Sequence, residues 1–213
     1  LLEKGFNTRQ ADVRPANSIN TAFQLLAVIF QLQSLQQFGG VSATHMDWSL
    51  APYVRKSFAK HYKDGLKYIS NVEEKEIDYE IENMIRNAKD YSIEDCEWKA
   101  YNPSAYRYAL DMTMRETAQG AEGLVHNLNT LQSRSGNQLP FTSVNFGTDT
   151  SSEGRLVTKC FLTALKNGVG ALHKTSIFPC GIFQCMKGVN RKPGDPNYDL
   201  FKLALKSTAS RIY

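Results

Sequence analysis

The fold is decided by the stretch that runs from residue 139 to residue 185. It opens on an apolar run rich in strand-forming residues, Leu139-Pro-Phe-Thr-Ser-Val-Asn-Phe146, and closes on a second such run, Ser176-Ile-Phe-Pro-Cys-Gly-Ile-Phe-Gln-Cys185. Between the two runs, apolar residues at helical spacing predict a helix over Ser151–Asn167. Two strands joined by one helix through short connections form a βαβ unit, which implies parallel pairing and a right-handed crossover.

Helical patterns lie on both sides of this unit. The predicted ranges are Asn17–Phe38, Ser49–Ile69, Glu73–Tyr91 and Ser104–Ser133, with a last helix after Asn197. Pro52 is expected in the first turn of its helix, where the N–H that proline lacks would have no partner. The first helix is apolar around most of its circumference, so we expect it to be buried on more than one side, in a core or in an oligomer interface.

Composition and charge exclude several classes of protein. The 213 residues are 42% hydrophobic and 22% charged, which is near the globular average and excludes disordered, collagen-like and coiled-coil chains. No apolar run approaches the roughly 20 residues that cross a bilayer. Four cysteines are too few for a disulfide scaffold and favour reduced thiols in a cytoplasmic protein.

The net charge of +4 is unevenly distributed along the chain. Residues 73–97 carry 10 acidic and 3 basic side chains, whereas residues 154–213 carry 10 basic and 2 acidic ones. The basic third suits an anionic ligand, although solvated surface charge explains such a bias about as often.

Common cofactor and metal motifs are absent. The chain has neither a G-x-x-x-x-G-K-[ST] loop nor a G-x-G-x-x-G turn, and Gly168-Val-Gly170 is interpreted as a helix C-cap. Cysteine and histidine spacings predict no metal site, and His126 is interpreted as a hydrogen-bonded structural histidine. Cys180 and Cys185 are an odd number of positions apart, so they would point to opposite faces of a regular strand. This spacing favours the interpretation of both as buried structural cysteines over a redox pair. One reactive thiol remains an open alternative.

Two polar segments are candidates for ligand binding. Ser133-Arg-Ser-Gly-Asn-Gln138 precedes the first strand, and Val189-Asn-Arg-Lys-Pro-Gly-Asp-Pro-Asn-Tyr198 precedes the last helix with two cations and a free helix N-terminus. Either could receive anionic groups, because helix N–H groups, Arg and Lys bind phosphate. Loops rich in Pro, Gly and Asn are also ordinary turns.

These stretches belong to a longer ordered set of motifs. The set comprises Gly5-Phe6, Ala11-Asp12, Ser18-Ile19, Thr21-Ala22, Phe38-Gly39-Gly40, Leu50 with Pro52-Tyr53-Val54, Ala59-Lys60-His61, Ser135-Gly136-Asn137-Gln138, Pro140-Phe141, Phe146-Gly147-Thr148, Ile177-Phe178-Pro179, Gly188-Val189-Asn190 and Asp195-Pro196-Asn197-Tyr198-Asp199. In order and spacing the set resembles the anaerobic (class III) ribonucleoside-triphosphate reductases, which belong with the glycyl-radical enzymes.

The resemblance implies an α/β fold that is part of a ten-stranded α/β barrel, with long helices preceding it. It implies that the reaction replaces the ribose 2′-hydroxyl of a ribonucleoside triphosphate with hydrogen, through a glycyl radical and a thiyl radical. The family's thiyl cysteine lies in a Met-Gly-Cys-Arg motif, expected beyond Tyr213, and another catalytic cysteine is expected just before Leu1. The radical glycine and a structural four-cysteine zinc site are also expected outside these residues, so no catalytic residue and no metal ligand is assigned here.

The resemblance further divides residues 1–213, as an internal segment of one catalytic domain, into two parts. Residues 1–134 are implied to form a mainly helical regulatory and dimer region, and residues 135–213 a βαβ segment of the barrel. Lys60 matches a family lysine that holds the phosphate of a deoxynucleotide or ATP effector, and Ser18 is assigned to the same site. Val28 falls where some relatives have an effector-contacting glutamine. The substrate candidates at the barrel mouth are Ser135, Asn137 and Gln138.

The implied partners are a second copy of the chain, a radical-SAM activating enzyme, the ribonucleoside triphosphate and either formate or a thioredoxin-type reductant. Neither a membrane nor a nucleic acid is implied. Two alternatives remain open at this point: a non-catalytic nucleotide-binding or dimerisation module derived from the same family, and another glycyl-radical enzyme.

Overall fold

The computed structural model describes residues 1–8, 11–37, 39–70, 77, 79, 81, 91–132 and 138–211. The helices described in full are α1 (Ile19–Gln36), α2 (Met46–Tyr68), α3 (Cys96–Tyr101), α4 (Pro103–Thr130), α5 (Ser152–Asn167) and α6 (Tyr198–Ser210). The strands are β1 (Phe6–Asn7), β2 (Asp12–Val13), β3 (Val41–Ala43), β4 (Thr142–Phe146) and β5 (Cys180–Phe183).

The predicted βαβ unit is confirmed. β4 and β5 pair in parallel, with Asn145 opposite Ile182 and Phe146 opposite Phe183, and α5 connects them. Both strands are shorter than the apolar runs, because Pro140 and Pro179 lack the N–H that a ladder needs.

A third parallel strand was missed by the sequence pattern. β3 pairs with β4 on the side away from β5, which gives the order β3-β4-β5, and β1 pairs with β2 in a separate antiparallel ribbon. Three residues are too few to show an alternating pattern, so β3 has no recognisable signal in the sequence. The described strands form a small parallel sheet within a mixed α/β fold, and they do not by themselves form a closed barrel.

The first two helices follow their predicted ranges with one correction. α1 begins after Ser18, whose hydroxyl accepts a hydrogen bond from the Thr21 N–H at 3.2 Å. α2 begins at Met46, so Pro52 lies inside the helix and its expected place in the first turn is wrong. The earlier start follows from His45, whose left-handed backbone (φ 54°, ψ 49°) directs the chain into the helix.

Side chains cap the starts of α4 and α5, and the predicted C-cap at Gly168 is confirmed. Asn102 caps α4 by accepting a hydrogen bond from the Ala105 N–H at 2.9 Å, and Pro103 occupies the first turn. Ser151 caps α5 through the Gly154 N–H at 3.1 Å, and Gly168, at φ 77°, ends it. The helix predicted over residues 73–91 lies almost wholly outside the described residues, and the short α3 was not predicted.

The core joins the helices to one face of the sheet. α4 packs on α1 and α2, and the close approach of α1 requires Gly120, where a Cβ would lie 2.6 Å from the Phe23 ring. α5 packs on α2, α4 and α6. The ring of Phe146 meets Phe161 of α5 edge to face at 5.0 Å, so β4 faces the helices on that side.

Candidate functional site

The carboxyl end of β4 leads into a turn, Gly147–Asp149, that a buried carboxylate fixes. Asp47, fully buried near the start of α2, accepts three hydrogen bonds at 2.9 Å each from the N–H groups of Gly147, Thr148 and Asp149. Trp48 adds a bond from its indole N–H to the Thr148 hydroxyl at 3.1 Å. The turn is therefore held to a helix that lies about 100 residues earlier in the chain.

Two buried asparagines donate hydrogen bonds to backbone carbonyl groups at the same end of the sheet. Asn190 donates to the Gly147 carbonyl at 2.9 Å and to the Gln184 carbonyl at 2.8 Å, which ties the end of β4 to the end of β5. Asn197 donates to the Asp149 carbonyl at 2.7 Å. Because both asparagines are fully buried, these bonds are shielded from water and fix the ends of the two strands.

The segment before α6 is folded around its own polar groups. The Asp195 carboxylate accepts from the backbone N–H groups of Arg191 and Lys192 at 2.9 Å each. Arg155 donates to Asp199 at 2.9 Å, to the Asn197 side chain at 2.7 Å and to the Pro196 carbonyl. No side chain caps the start of α6, which agrees with the expected free helix N-terminus, and the Asp199 carboxylate in its first turn pairs with Arg155.

A second buried carboxylate was missed by sequence reasoning. Glu153, in the first turn of α5, accepts from the Ile93 N–H at 2.7 Å and pairs with Arg55 at 3.5 Å. Burial raises the pKa of the nearby Asp149 carboxyl, and the negative charges of Asp47 and Glu153 raise it further, against the lowering effect of hydrogen bonds from Ser151. Nothing local in the sequence distinguishes Glu153 from a surface glutamate, because its partners are distant along the chain.

The sheet presents a polar face on the side away from the helices. On β4, Thr142, Val144 and Phe146 are buried, whereas Ser143 and Asn145 are only partly buried, as strand alternation requires. Residues paired across a parallel ladder share a face, so Ser143 and Asn145 lie beside Cys180 and Ile182 of β5. We call the surface formed by Ser143, Asn145, Cys180 and Ile182 the open face.

A polar cluster joins α1, α2 and α4 at a different place in the molecule. The His61 ring nitrogen Nε2 lies 2.9 Å from the Glu116 carboxylate, and Ser57 accepts from the Ile19 N–H at 2.9 Å. Burial alone would raise the pKa of Glu116, but hydrogen bonds from His61, Ser57 and Ser18, with the charge of His61, hold that pKa below its ordinary value.

The structure brings the two effector candidates, Lys60 and Ser18, into one neighbourhood. Ser18 caps α1 beside Ser57, and Lys60 lies one turn further along α2, exposed to solvent. Within the described residues, Lys60 forms no ion pair. Its ammonium group is therefore available to an anion at this position.

Of the three substrate candidates, the structure describes only Gln138, which lies away from the fixed turn. Gln138 is exposed and precedes β4, at the amino end of that strand, whereas the turn Gly147–Asp149 lies at its carboxyl end. Ser135 and Asn137 lie outside the described residues.

The cysteines and His126 differ from their predicted surroundings. Cys185 is exposed, so its expected burial is wrong, and Cys180 is only partly buried. Burial raises the pKa of the Cys160 thiol to about 11, despite the lowering effect of Lys159. His126 is exposed, and its ring makes no hydrogen bond with any residue that the structure describes.

An apolar cavity lies between α4 and α5 and is too small for a nucleotide. It has a volume of about 200 Å³, and its lining includes Met114, Leu156 and Cys160. Ligand pockets for drug-sized molecules begin at roughly 300 Å³. In the part of the chain that the structure describes, no three Cys, His, Asp or Glu residues are grouped to hold a metal, and no helix is long and apolar enough to cross a membrane.

Together, the helix layer and the small parallel sheet define a mixed α/β protein. A family model described as anaerobic ribonucleoside-triphosphate reductase matches residues 1–213. The chain belongs to this family.

Individual relatives agree with this assignment. The chain is 30% identical to the anaerobic ribonucleoside-triphosphate reductase of Haemophilus influenzae and 32% identical to those of Escherichia coli and Salmonella typhimurium. Each match covers 100% of this chain but only 25% or 26% of the relative. The chain thus spans about a quarter of the length of these relatives.

Proposed function

We propose that the protein containing this chain reduces ribonucleoside triphosphates to deoxyribonucleoside triphosphates under anaerobic conditions. The observation that carries the proposal is the family match over all 213 residues. The parallel sheet, with one face packed on helices and an open face, supports it, because a barrel that holds a ligand has helices on the outside of its wall and the ligand on the inside. In this proposal, β3, β4 and β5 are part of the family's ten-stranded barrel.

The substrate proposal places the ribonucleoside triphosphate on the inner side of that barrel. Ser135, Asn137 and Gln138 are proposed for its mouth, where Gln138 is exposed to solvent. The residues that fix the turn Gly147–Asp149 are proposed to keep the carboxyl ends of the strands rigid while the ligand binds. The glycyl radical and the zinc site of the family are proposed to lie outside these residues.

The regulatory proposal concerns the helices of residues 1–134. Besides its buried face, α1 carries a second apolar stripe, which suits contact with a second copy of the chain. The stripe consists of Leu25, Val28, Ile29, Leu32 and Leu35, all partly or fully exposed. A deoxynucleotide or ATP effector is proposed to bind beside this interface, with its phosphates at Lys60 and the start of α1.

Lys60→Ala tests the effector site. We expect the affinity for dATP or dTTP, measured by isothermal titration calorimetry on the full gene product, to fall about 10-fold, because a charge-assisted phosphate contact is lost. Lys166→Ala, which removes an exposed lysine from α5, is the matched control and should leave the affinity unchanged. Equal affinities in wild type and Lys60→Ala would remove Lys60 from the site.

The flanking gene sequence separates this function from its alternatives. A Met-Gly-Cys-Arg motif and a glycyl-radical motif downstream of residue 213 are expected for the reductase, together with dependence on a radical-SAM activating enzyme and on formate or a thioredoxin-type reductant. A stop codon directly after Tyr213 would favour a non-catalytic binding module. Two adjacent active-site cysteines downstream would favour another glycyl-radical enzyme.

A further inference from the structure

Among the residues that the structure describes, two side-chain oxygens at the ends of β4 and β5 are buried and have no hydrogen-bond partner. They are Oδ1 of Asn145 and Oε1 of Gln184. An amide oxygen that is removed from water and left unpaired is costly. These two lie on neighbouring strands, where a donor group of a ligand would satisfy them.

Asn145 belongs to the open face, and Gln184 lies next to that face on the same side of the sheet. Asn145 of β4 lies opposite Ile182 of β5 in the parallel ladder, and Gln184 comes two residues after Ile182. The ladder continues one step past β5, because the Gln184 N–H donates to the Phe146 carbonyl at 2.8 Å. Alternation along the strand then places Gln184 on the same side of the sheet as Ile182 and Asn145.

The backbone beneath these two amides is fixed. Phe146 follows Asn145 and packs its ring against Phe161 and Phe183, and Asn190 binds the Gln184 carbonyl at 2.8 Å. A rigid backbone lowers the entropy that is lost when a ligand orders the side chains it touches. A ligand that donates to these two amide oxygens would therefore not have to order the backbone on which they stand.

We propose that Asn145 and Gln184 accept hydrogen bonds from hydroxyl or amino groups of the bound ribonucleoside triphosphate. The proposal rests on the proposed function, which supplies the ligand. A ribose offers two hydroxyl donors, and adenine, guanine and cytosine offer an exocyclic amino group, whereas phosphate oxygens are acceptors and gain nothing from an amide oxygen. The pair therefore recognises the nucleoside part and not the triphosphate.

The test is direct binding of ribonucleoside triphosphates to the full gene product without turnover. Asn145→Ala and Gln184→Ala should each raise the Kd for CTP about 3- to 10-fold, as expected for one lost hydrogen bond. Thr142→Val is the matched control, because the Thr142 hydroxyl on β4 is likewise buried with no partner among the described residues but faces the helices. It should leave the Kd for CTP unchanged.

Comparison of CTP with UTP distinguishes the two kinds of donor. If ribose hydroxyls are bound, the substitutions raise the Kd for both nucleotides equally. If an exocyclic amino group is bound, they raise the Kd for CTP and leave that for UTP unchanged. Circular dichroism checks that each variant is folded, and Gln184→Ala keeps the proposal testable if Asn145→Ala does not fold.

Two outcomes contradict different claims. A wild-type protein that binds ribonucleoside triphosphates with variants of unchanged Kd would overturn this inference and leave the proposed function intact. A wild-type protein that binds no ribonucleoside triphosphate would overturn both.

Discussion

Asp47 is the residue on which the geometry of the strand ends depends most. Its carboxylate accepts three consecutive backbone N–H groups, of Gly147, Thr148 and Asp149, and is fully buried. Each of these groups would lose its partner at once if the carboxylate were removed. A hydrogen bond to a charged group contributes roughly 1.5 to 3 kcal/mol, and a buried donor left unpaired costs about 1 to 3 kcal/mol.

Asp47→Ala should therefore lower the free energy of unfolding by about 3 kcal/mol. Urea denaturation measures the change, and hydrogen exchange should show faster exchange at residues 147–149. Asp111→Ala is the control, since Asp111 forms only an exposed ion pair with Arg115 and should change stability by less than about 1 kcal/mol. Equal effects of the two substitutions would contradict the role assigned to Asp47.

Glu116 makes stability depend on pH. Its carboxyl has a lower pKa in the folded protein than in the unfolded chain, because the hydrogen bonds from His61, Ser57 and Ser18 outweigh the opposing effect of burial. A lowered pKa means that the ionised form stabilises the fold. The contribution is complete above the unfolded pKa of about 4.3 and is lost as the pH falls through the lower folded value.

Glu116→Gln should therefore reduce stability at pH 7 and have a smaller effect at pH 3, as measured by urea denaturation at the two values. Glu122→Gln, on the exposed side of the same helix, should change stability little at either pH. A loss of stability in Glu116→Gln that is equally large at both pH values would contradict the stabilising role of the ionised Glu116 carboxylate.

At the scale of the elements, the contact between α1 and α4 depends on a missing side chain. A Cβ on Gly120 would lie 2.6 Å from the Phe23 ring, and Phe23 is fully buried. Gly123, on the same helix, has open space around the corresponding position. The two glycines therefore have opposite expected responses to one substitution.

Gly120→Ala should destabilise the protein by about 1 to 3 kcal/mol, because overpacking outweighs the gain in helix propensity. Gly123→Ala should stabilise it by about 0.5 to 1 kcal/mol, because only the propensity changes. Thermal melting of the two variants gives the comparison directly. Stabilisation by Gly120→Ala would show that α1 does not lie as close to α4 as described.

Elements with long regular patterns could be predicted, whereas short ones could not. The apolar runs, the helical spacing and the predicted C-cap at Gly168 indicated β4, β5, α1 and α5 with bounds close to those observed. β3 is too short to have a pattern. The start of α2 was missed because it depends on the left-handed backbone of His45.

At the scale of the whole molecule, the hydrogen bonds that join distant elements could not be predicted from the local sequence. Asp47 contacts residues about 100 positions away, and Glu153 contacts Ile93 at a separation of 60. Aspartate near a helix start and glutamate in a first turn are common in helices generally. Neither pattern therefore indicates a buried carboxylate that binds a distant segment of the chain. The family resemblance, by contrast, depends on many short motifs in order, and the family match over residues 1–213 confirms it.

An anaerobic reduction assay measures the reaction proposed for the intact protein. The full gene product, treated with the proposed radical-SAM activating enzyme and supplied with formate or a thioredoxin system, is incubated with each ribonucleoside triphosphate, and the nucleotides are separated by chromatography. We expect the matching deoxyribonucleoside triphosphate as product, at rates that added dATP or dTTP changes. Binding of ribonucleoside triphosphates without any deoxyribonucleotide product, after the radical has formed, would contradict the proposed function.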